Sequence, residues 1–518
     1  MPIQPLPSPE NDPLPSTLWT TALTPWSTPI LPSPTSLSAA RASLITTIPP
    51  AGLGYTQTKA HLLNDIVPGL NGSSLSGNYY GFVTGGITPA ALLADNVVSV
   101  YDQNVQVHLP GHSVATDVEH RALGMLLELF GLEGARCGHK TLTTGATASN
   151  LLGLALGREW VLRRAVERND NREEREVMSV GEHGVSEVLR VAGLRGVQVL
   201  SSHPHSSLGK AAGILGIGRA NVKNVCVKRN AGVEEGYRPV SFDFEALEKE
   251  LARSDMASIV AVSSGEVNTG QFATSGLEEF KRIRQLCDKY GAWLHVDGAF
   301  GMFGRILKNG PESDQFKDVW MKCEGLELAD SITGDAHKLL NVPYDCGFFF
   351  SRYAEIAEDV CRNPNAAYLS GGGGGGGDSI PSPNNNGIEN SRRFRALPVY
   401  ATLVAYGRDG YREMLQNQIS LARMVASWLF ENPAYITLPE TPTVDELVRN
   451  TYIVALFRAK DDSLNQTLTT KINATSKIFV SGTSWDGKPA CRIAISNWRV
   501  NVNEDFEKIK QVLSEVAQ

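Results

Sequence analysis

The chain has no excess of basic charge, no closely paired cysteines and no apolar run long enough to cross a bilayer, and each absence removes a class of function. Its 48 Lys and Arg stand against 55 Asp and Glu, for a net charge of −7. That balance carries no electrostatic footprint for nucleic acid or an anionic membrane, and neither is expected as a partner. Its cysteines (Cys137, Cys226, Cys287, Cys323, Cys346, Cys361 and Cys491) are odd in number, scattered, and contain no CxxC pair. A reduced, cytoplasmic protein fits that usage better than a disulfide framework. No basic residue precedes Arg41 and no charged flank borders a compact apolar run near the start, so neither a secretory leader nor an Arg-rich transit peptide is read. Without such a signal, the glycosylation-type triplets at Asn71, Asn465 and Asn473 are read as accidental.

What is present is the composition of a globular enzyme: 518 residues, 42% hydrophobic and 20% charged, enough chain for two or three domains. Residues 1–50 are rich in Pro, Ser and Thr and show no sustained period, which predicts an extended or wrapped arm that Trp19 and Trp26 dock. Residues 51–87 read as an N-terminal helical segment. From about Thr88, short apolar runs alternate with helical patterns, the mark of an α/β domain with a mainly parallel sheet, over 88–395. Its clearest unit runs from the strand-like Ile259-Val-Ala-Val, through a helix with Leu277, Phe280, Ile283, Leu286 and Tyr290 on one face, to Ala292-Trp-Leu-His-Val. Asp297 then falls at a strand's C-terminal end, where such sheets bind ligands. An unbroken glycine run from Gly371 to Gly377 makes 370–391 a flexible loop. A smaller α+β domain is expected over 396–518.

Four segments carry groups of chemical interest. In Asp335-Ala-His337-Lys338 the lysine precedes the apolar run Gly347-Phe-Phe-Phe. A single lysine is ordinarily a solvated surface charge, but one buried among apolar neighbours has a lowered pKa and serves as a nucleophile. In Leu294-His-Val-Asp297-Gly-Ala299 the aspartate is either a turn residue or a site acid. His203-Pro-His205-Ser206-Ser207 offers two imidazoles; metal binding is the rival reading there and at His108 and His112, where Pro110 and Gly111 exclude a helical zinc face. Thr144-Gly145-Ala146-Thr147 opens a helix carrying Leu151, Leu152, Leu154 and Leu156, so its free N–H groups form an anion cradle or a simple cap. The glycines at 213, 216 and 218 lack the order of a dinucleotide fingerprint, which removes NAD.

In this order and spacing the segments resemble those of the group II amino-acid decarboxylases, the fold-type I enzymes that use pyridoxal 5′-phosphate (PLP). The resemblance extends from about Ser76 to Trp498, through Tyr80-Gly-Phe-Val-Thr84-Gly-Gly, Arg392-Arg-Phe-Arg395, Gly482-Thr-Ser-Trp-Asp-Gly and Arg492. It implies a PLP-dependent transferase-like large domain, a small C-terminal domain, and a homodimer whose sites draw on both subunits. It implies that Lys338 carries PLP as a Schiff base and that Asp297 pairs with the pyridine nitrogen. Ala299 and His205 would lie against the two ring faces; the spacing to Ser206, Ser207 and Lys210 selects His205 over His203. Ala146 and Thr147, with His337, would hold the phosphate, and Thr84 would contact substrate.

The chain departs from the family in one consequential place. Relatives supply a proton-donating tyrosine from the loop between a Tyr-Leu pair, here Tyr368 and Leu369, and the Arg392 segment. Ser370 to Ser391 contains no tyrosine, phenylalanine or histidine. Either another group, such as His205, protonates the substrate carbon after CO₂ leaves, giving an amine, or oxygen intervenes and an aldehyde is released. The first is preferred, with an L-amino acid as substrate and an aromatic one over glutamate. Glu266 stands where relatives have a small residue or threonine, a carboxylate able to bind an amine or repel an acid. Ala146 replaces a common glycine, and the loop has no cysteine for desulfurase chemistry. A catalytically silent relative is the third reading, against which the joint retention of Lys338, Asp297 and His205 argues.

Overall fold

A computed structural model describes residues 20–21, 24, 29–134, 137–169, 178–228, 238–310, 312–363 and 380–518. A two-residue strand, β1 (Tyr79–Tyr80), precedes a seven-stranded sheet made of β2 (His139–Thr143), β3 (Gly196–Ser201), β4 (Val222–Asn224), β5 (Met256–Ser263), β6 (Trp293–Asp297), β7 (Ser331–Asp335) and β8 (Gly347–Ser351). The order is β2-β8-β7-β6-β5-β3-β4. Only β8 runs antiparallel to its neighbours. Every residue of β3, β6, β7 and β8 is buried, as expected of the central strands of a sheet covered by helices on both faces. This is the α/β, mainly parallel architecture that the alternating pattern implies.

Helices cover both faces. The helix Leu277–Tyr290 turns Phe280, Ile283 and Cys287 into the core and stops at Gly291, whose φ of 66° is the left-handed cap that glycine adopts without strain. The helix Ala146–Asn169 lies so close to the sheet that a Cβ on Gly153 would stand 2.4 Å from the His295 ring. That contact brings the start of this helix over the C-terminal ends of β6 and β7.

The second sheet holds β9 (Tyr435–Leu438), β10 (Val454–Ala459), β11 (Phe479–Trp485) and β12 (Lys488–Ala494), in the order β1-β11-β12-β10-β9. Its strands are antiparallel except that β1 pairs parallel with β11, Tyr79 opposite Phe479. The expected C-terminal unit is thus joined by two residues from the N-terminal segment. The helix Ala396–Glu431, kinked where Gly407 takes φ 59°, connects the two sheets. Just before it, Arg392 forms a buried two-pronged pair with Glu119, both N···O distances 2.6 Å, which anchors this connector to the large sheet's helices.

The N-terminal arm differs from its expectation. Pro34–Ser43 is a helix: Pro34 occupies its first turn, where no N–H is needed, and the Ser33 hydroxyl accepts the Ser36 N–H at 3.0 Å. It packs on residues 62–69, where a Cβ on Gly69 would meet Ala40 Cβ at 2.6 Å. The composition that suggested an extended arm also supplied the cap. Trp19, Trp26, Tyr368, Leu369 and the glycine run lie outside the described residues.

Candidate active site

The strand ends of the large sheet and the start of the helix Ala146–Asn169 enclose a cavity of about 320 Å³. Ala146, Thr147, His205, Asp297, Ala299, His337 and Lys338 all line it, together with His203, Phe300 and Asp335. Topology explains the gathering. β5, β6 and β7 are parallel neighbours, so Ser263, Asp297 and the segment after Thr333 emerge on one edge. Lys338 lies on the single helical turn Ala336–Leu339 that follows β7.

Asp297 is 6% exposed. Its Oδ2 accepts the Asn150 side-chain amide at 2.8 Å and its Oδ1 the Ala299 N–H at 3.3 Å. The other Asn150 amide hydrogen goes to Ser207 Oγ at 2.9 Å, and Ser207 Oγ lies 2.7 Å from His205 Nδ1. The Ser207 N–H also donates to Nδ1, at 3.2 Å. That fixes Nδ1 as an acceptor and places the ring proton of His205 on Nε2. A buried chain therefore links the aspartate to the imidazole through Asn150. His203, the other histidine of the pair, takes φ 50° and stacks on Trp485 of β11 at 5.9 Å.

Asn150 has a second role. Its carbonyl oxygen is 2.8 Å from His295 Nε2, and His295 Nδ1 is 2.8 Å from Ser331 Oγ. Burial holds this imidazole down to about 4, so it is neutral at pH 7 and donates Nε2–H to Asn150. His139, on β2, is also buried and held down to about 4. Both folded values lie below the ~6.5 of a free imidazole. Their contribution to stability is therefore complete above pH ~6.5 and is lost as the pH falls toward 4, because only the unfolded chain takes up the protons. Each loss is about 3 kcal/mol over that window. Unfolding of the cofactor-free protein at pH 5 is expected to take up about two protons through these rings, read as the slope of urea-derived stability against pH. In His139→Gln the slope should fall by about one proton; an unchanged slope would show that His139 is charged when folded.

The turn before the helix is an anion cradle with one donor already engaged. Gly145 has φ 152°, and a Cβ there would meet the His337 ring at 3.2 Å and Asp335 Oδ1 at 3.4 Å, so the backbone approaches its neighbours as only glycine allows. The Ala146 N–H donates to Asp335 Oδ1 at 2.6 Å, and Asp335 Oδ2 pairs with Lys338 Nζ at 2.9 Å. Lys338 Nζ also lies 5.5 Å from the Phe300 ring centre. Thr147 is exposed at the cavity's lip, on the first turn of the helix where N–H groups lack an intrahelical acceptor. His337 gives both its backbone N–H and Nδ1 to the Cys346 carbonyl, at 3.0 and 2.9 Å. Burial lowers its pKa, and in the neutral ring Nε2 has no proton to offer an anion. Lysine, carboxylate, imidazole and helix N-terminus together fit a planar, phosphate-bearing carbonyl cofactor.

Thr84 is buried but does not line the cavity; its hydroxyl accepts that of Tyr344 at 3.3 Å, and the Tyr344 ring lies 4.8 Å from that of His337. Gly85, next to it, passes so near the lysine segment that a Cβ would fall 1.7 Å from the Lys338 carbonyl oxygen. Glu266 does not serve as an open carboxylate. Its oxygens accept the N–H groups of Asn268 and Thr269 and the Thr269 hydroxyl within its own turn. Sequence reading missed Asn150, Asp335 and Phe300. A polar Asn150 amid the leucines of its helix, and Asp335 three residues before Lys338 in a helical turn, are the signals that mark them.

Comparison with known proteins agrees with this geometry. The pyridoxal-dependent decarboxylase conserved domain matches residues 76–443. L-2,4-diaminobutyrate decarboxylase of Acinetobacter baumannii is 25% identical over 414 residues, 77% of this chain and 72% of that protein. The crystal structure of Oryza sativa TDC with PLP and tryptamine superposes with a TM-score of 0.76 at 18% identity, covering 99% of each chain. That of Rhodiola rosea 4-hydroxyphenylacetaldehyde synthase gives 0.73 at 19%, covering 98% of this chain and 95% of that one. Both structural likenesses establish the fold.

Proposed function

The chain belongs to the family of pyridoxal-dependent decarboxylases and is a PLP-dependent carboxy-lyase; from that premise we propose that it decarboxylates an L-amino acid in the cavity bounded by Lys338, Asp297 and His205. The observation that carries this reading is the convergence of those three side chains with a helix N-terminus on one cavity. When bound, PLP supplies an electron sink for the pair left behind as CO₂ departs. Lys338 is the amine that would hold it. Asp297, oriented by Asn150 and the Ala299 N–H, would keep a proton on the ring nitrogen. His205 and Ala299 would wall the ring, and Ala146 with Thr147 would bind the phosphate. Thr84, which does not line the cavity, would act on substrate only indirectly, through the Tyr344 hydroxyl it accepts and the Tyr344 ring beside His337.

His205 is the proton source in this reading. Its Nε2 carries the ring proton because Nδ1 is occupied by Ser207. It would act as the acid from the doubly protonated ring, a proton from solvent being taken up at Nδ1, with Ser207 Oγ as its acceptor, before Nε2–H passes to the substrate carbon and the neutral ring is restored. The product is then an amine. The second reading, oxygen-dependent release of an aldehyde, is favoured by the absence of Tyr, Phe and His between Ser370 and Ser391. For the substrate, the described residues lining the cavity include Phe300 and Val267 and no arginine, which favours an aromatic side chain over an acidic one.

A homodimer is proposed as the working unit. Its support is the run of exposed apolar residues along the helix Pro89–Tyr101 (Val97, Val100, Tyr101) and on the packed helix Ala396–Glu431 (Tyr400, Val404). No helix among the described residues is long and apolar enough to cross a membrane, and the proposed location is the cytoplasm.

The experiment is incubation of the PLP-loaded protein with a panel of L-amino acids under air and under nitrogen, scoring CO₂, amine, aldehyde and peroxide. Equal CO₂ and amine in both atmospheres, greatest for an aromatic substrate, is the expected result. Aldehyde that requires air would overturn the amine reading, and no CO₂ from any substrate would mark a silent relative.

A further inference from the structure

The cradle that would take the cofactor's phosphate is not vacant of charge: the chain has placed its own carboxylate there. Asp335 ends β7 and is 3% exposed. One of its oxygens takes the Ala146 N–H at 2.6 Å, at the positive end of the 24-residue helix Ala146–Asn169; the other takes the Lys338 ammonium at 2.9 Å. A single side chain therefore engages both groups that the bound cofactor needs, an anion-binding N–H and the attaching amine. His337 Nε2, the next nearest cationic candidate, is 3.7 Å from Oδ1, and its neutral ring brings no positive charge.

From this geometry we propose that Asp335 is an internal competitor that sets how tightly the protein retains PLP; the proposal rests on the assignment of Ala146, Thr147 and Lys338 to the cofactor site. Two physical effects act in the same direction. A phosphate arriving at the Ala146–Thr147 turn meets a carboxylate already hydrogen-bonded there, and like charges in a buried site repel. When Lys338 is covalently engaged its nitrogen ceases to be a free ammonium with three N–H donors, and its pairing with Asp335 is weakened or given up. Lysine, carboxylate and helix N-terminus satisfy one another in this geometry. Bound cofactor has to displace that arrangement, and cofactor exchange is the expected consequence.

The test is equilibrium binding of PLP, pyridoxal and inorganic phosphate to the cofactor-free protein, with Asp335→Asn and Asp335→Ser beside the wild type. Asparagine keeps the shape and a carbonyl acceptor for the Ala146 N–H while removing the charge. PLP is expected to bind Asp335→Asn at least about 10-fold more tightly, phosphate to gain in parallel, and pyridoxal to gain less. The thermal midpoint of the cofactor-free variant should fall, since Lys338 loses its partner, while that of the loaded variant rises. Asp335→Ser should share the gain in affinity if asparagine compromises folding. PLP binding that is unchanged or weaker in both variants overturns the proposal, and equal gains for pyridoxal and PLP would refute competition at the phosphate. Normal PLP binding unaffected by Ala146→Pro, which removes that N–H at a helix position where proline is tolerated, or by Thr147→Val would instead remove the site assignment beneath it.

Discussion

Lys338→Ala is expected to lose the visible absorption band of bound cofactor and to lower decarboxylation on the order of 10³-fold, the scale at which a positioned reactive group is removed. The structure adds a complication to this substitution and a way round it. Asp335 is buried and its Oδ2 depends on the Lys338 ammonium; alanine leaves that carboxylate without its cation, so the cofactor-free variant should also be less stable. Lys338→Arg keeps a cation opposite Asp335 while removing the nucleophilic amine. It should fold like the wild type by circular dichroism and still lack both the band and the activity. An active Lys338→Arg enzyme would assign the attachment to another residue.

The second large effect concerns Asp297, and its signature differs. In Asp297→Asn the Oδ1 position still accepts the Ala299 N–H, so the fold and the cofactor's attachment should persist and the absorption band should remain, shifted in its pH dependence. What would be lost, on the proposed role of Asp297, is the negative charge that would hold a proton on the ring nitrogen. Without that proton the ring is a poor electron sink, and kcat is expected to fall about 10²–10³-fold with little change in KM. Asn150 then faces an amide instead of a carboxylate, so Asp297→Glu, which retains the charge at a longer reach, should recover part of the rate. A kcat within about 10-fold of the wild type in Asp297→Asn would separate Asp297 from the chemistry.

The contrast between these residues and Asn150 shows what a sequence displays and what it hides. The apolar runs of β5, β6 and β8 are legible because a sheet buried on both faces favours unbroken apolar stretches, whereas β3, interrupted by Gln198, is not read. Lys338, Asp297, His205 and the Gly145 turn stand at strand ends or helix starts in an order the eye can follow. Asn150, Asp297, His295 and Ser331 are joined by side-chain hydrogen bonds across three elements, and no local pattern encodes that meeting. Asp335 is similar: its partner Ala146 lies 189 residues earlier. The helix Pro34–Ser43 was obscured for another reason, since Pro and Ser signal both disorder and a helix start, and only the Ser33 to Ser36 cap decides between them.

The pairing of β1 with β11 has a consequence for biosynthesis. Tyr79 and Tyr80, buried to 7% and 1% exposure, pair with Phe479 and Val480 through β1, and Gly85, beside the lysine segment, accepts the Trp498 N–H through its carbonyl. At ribosomal speeds of roughly 5–20 residues per second, the first strand waits on the order of tens of seconds for its mate. Throughout that interval the nascent chain carries an unpaired, aromatic edge, a natural substrate for chaperones. The wall behind Lys338 is finished only after Trp498 has emerged. Cofactor loading is therefore expected to follow synthesis of β11 and Trp498, and a chain terminated before them is expected to leave the ribosome with its lysine made and its pocket unbuilt.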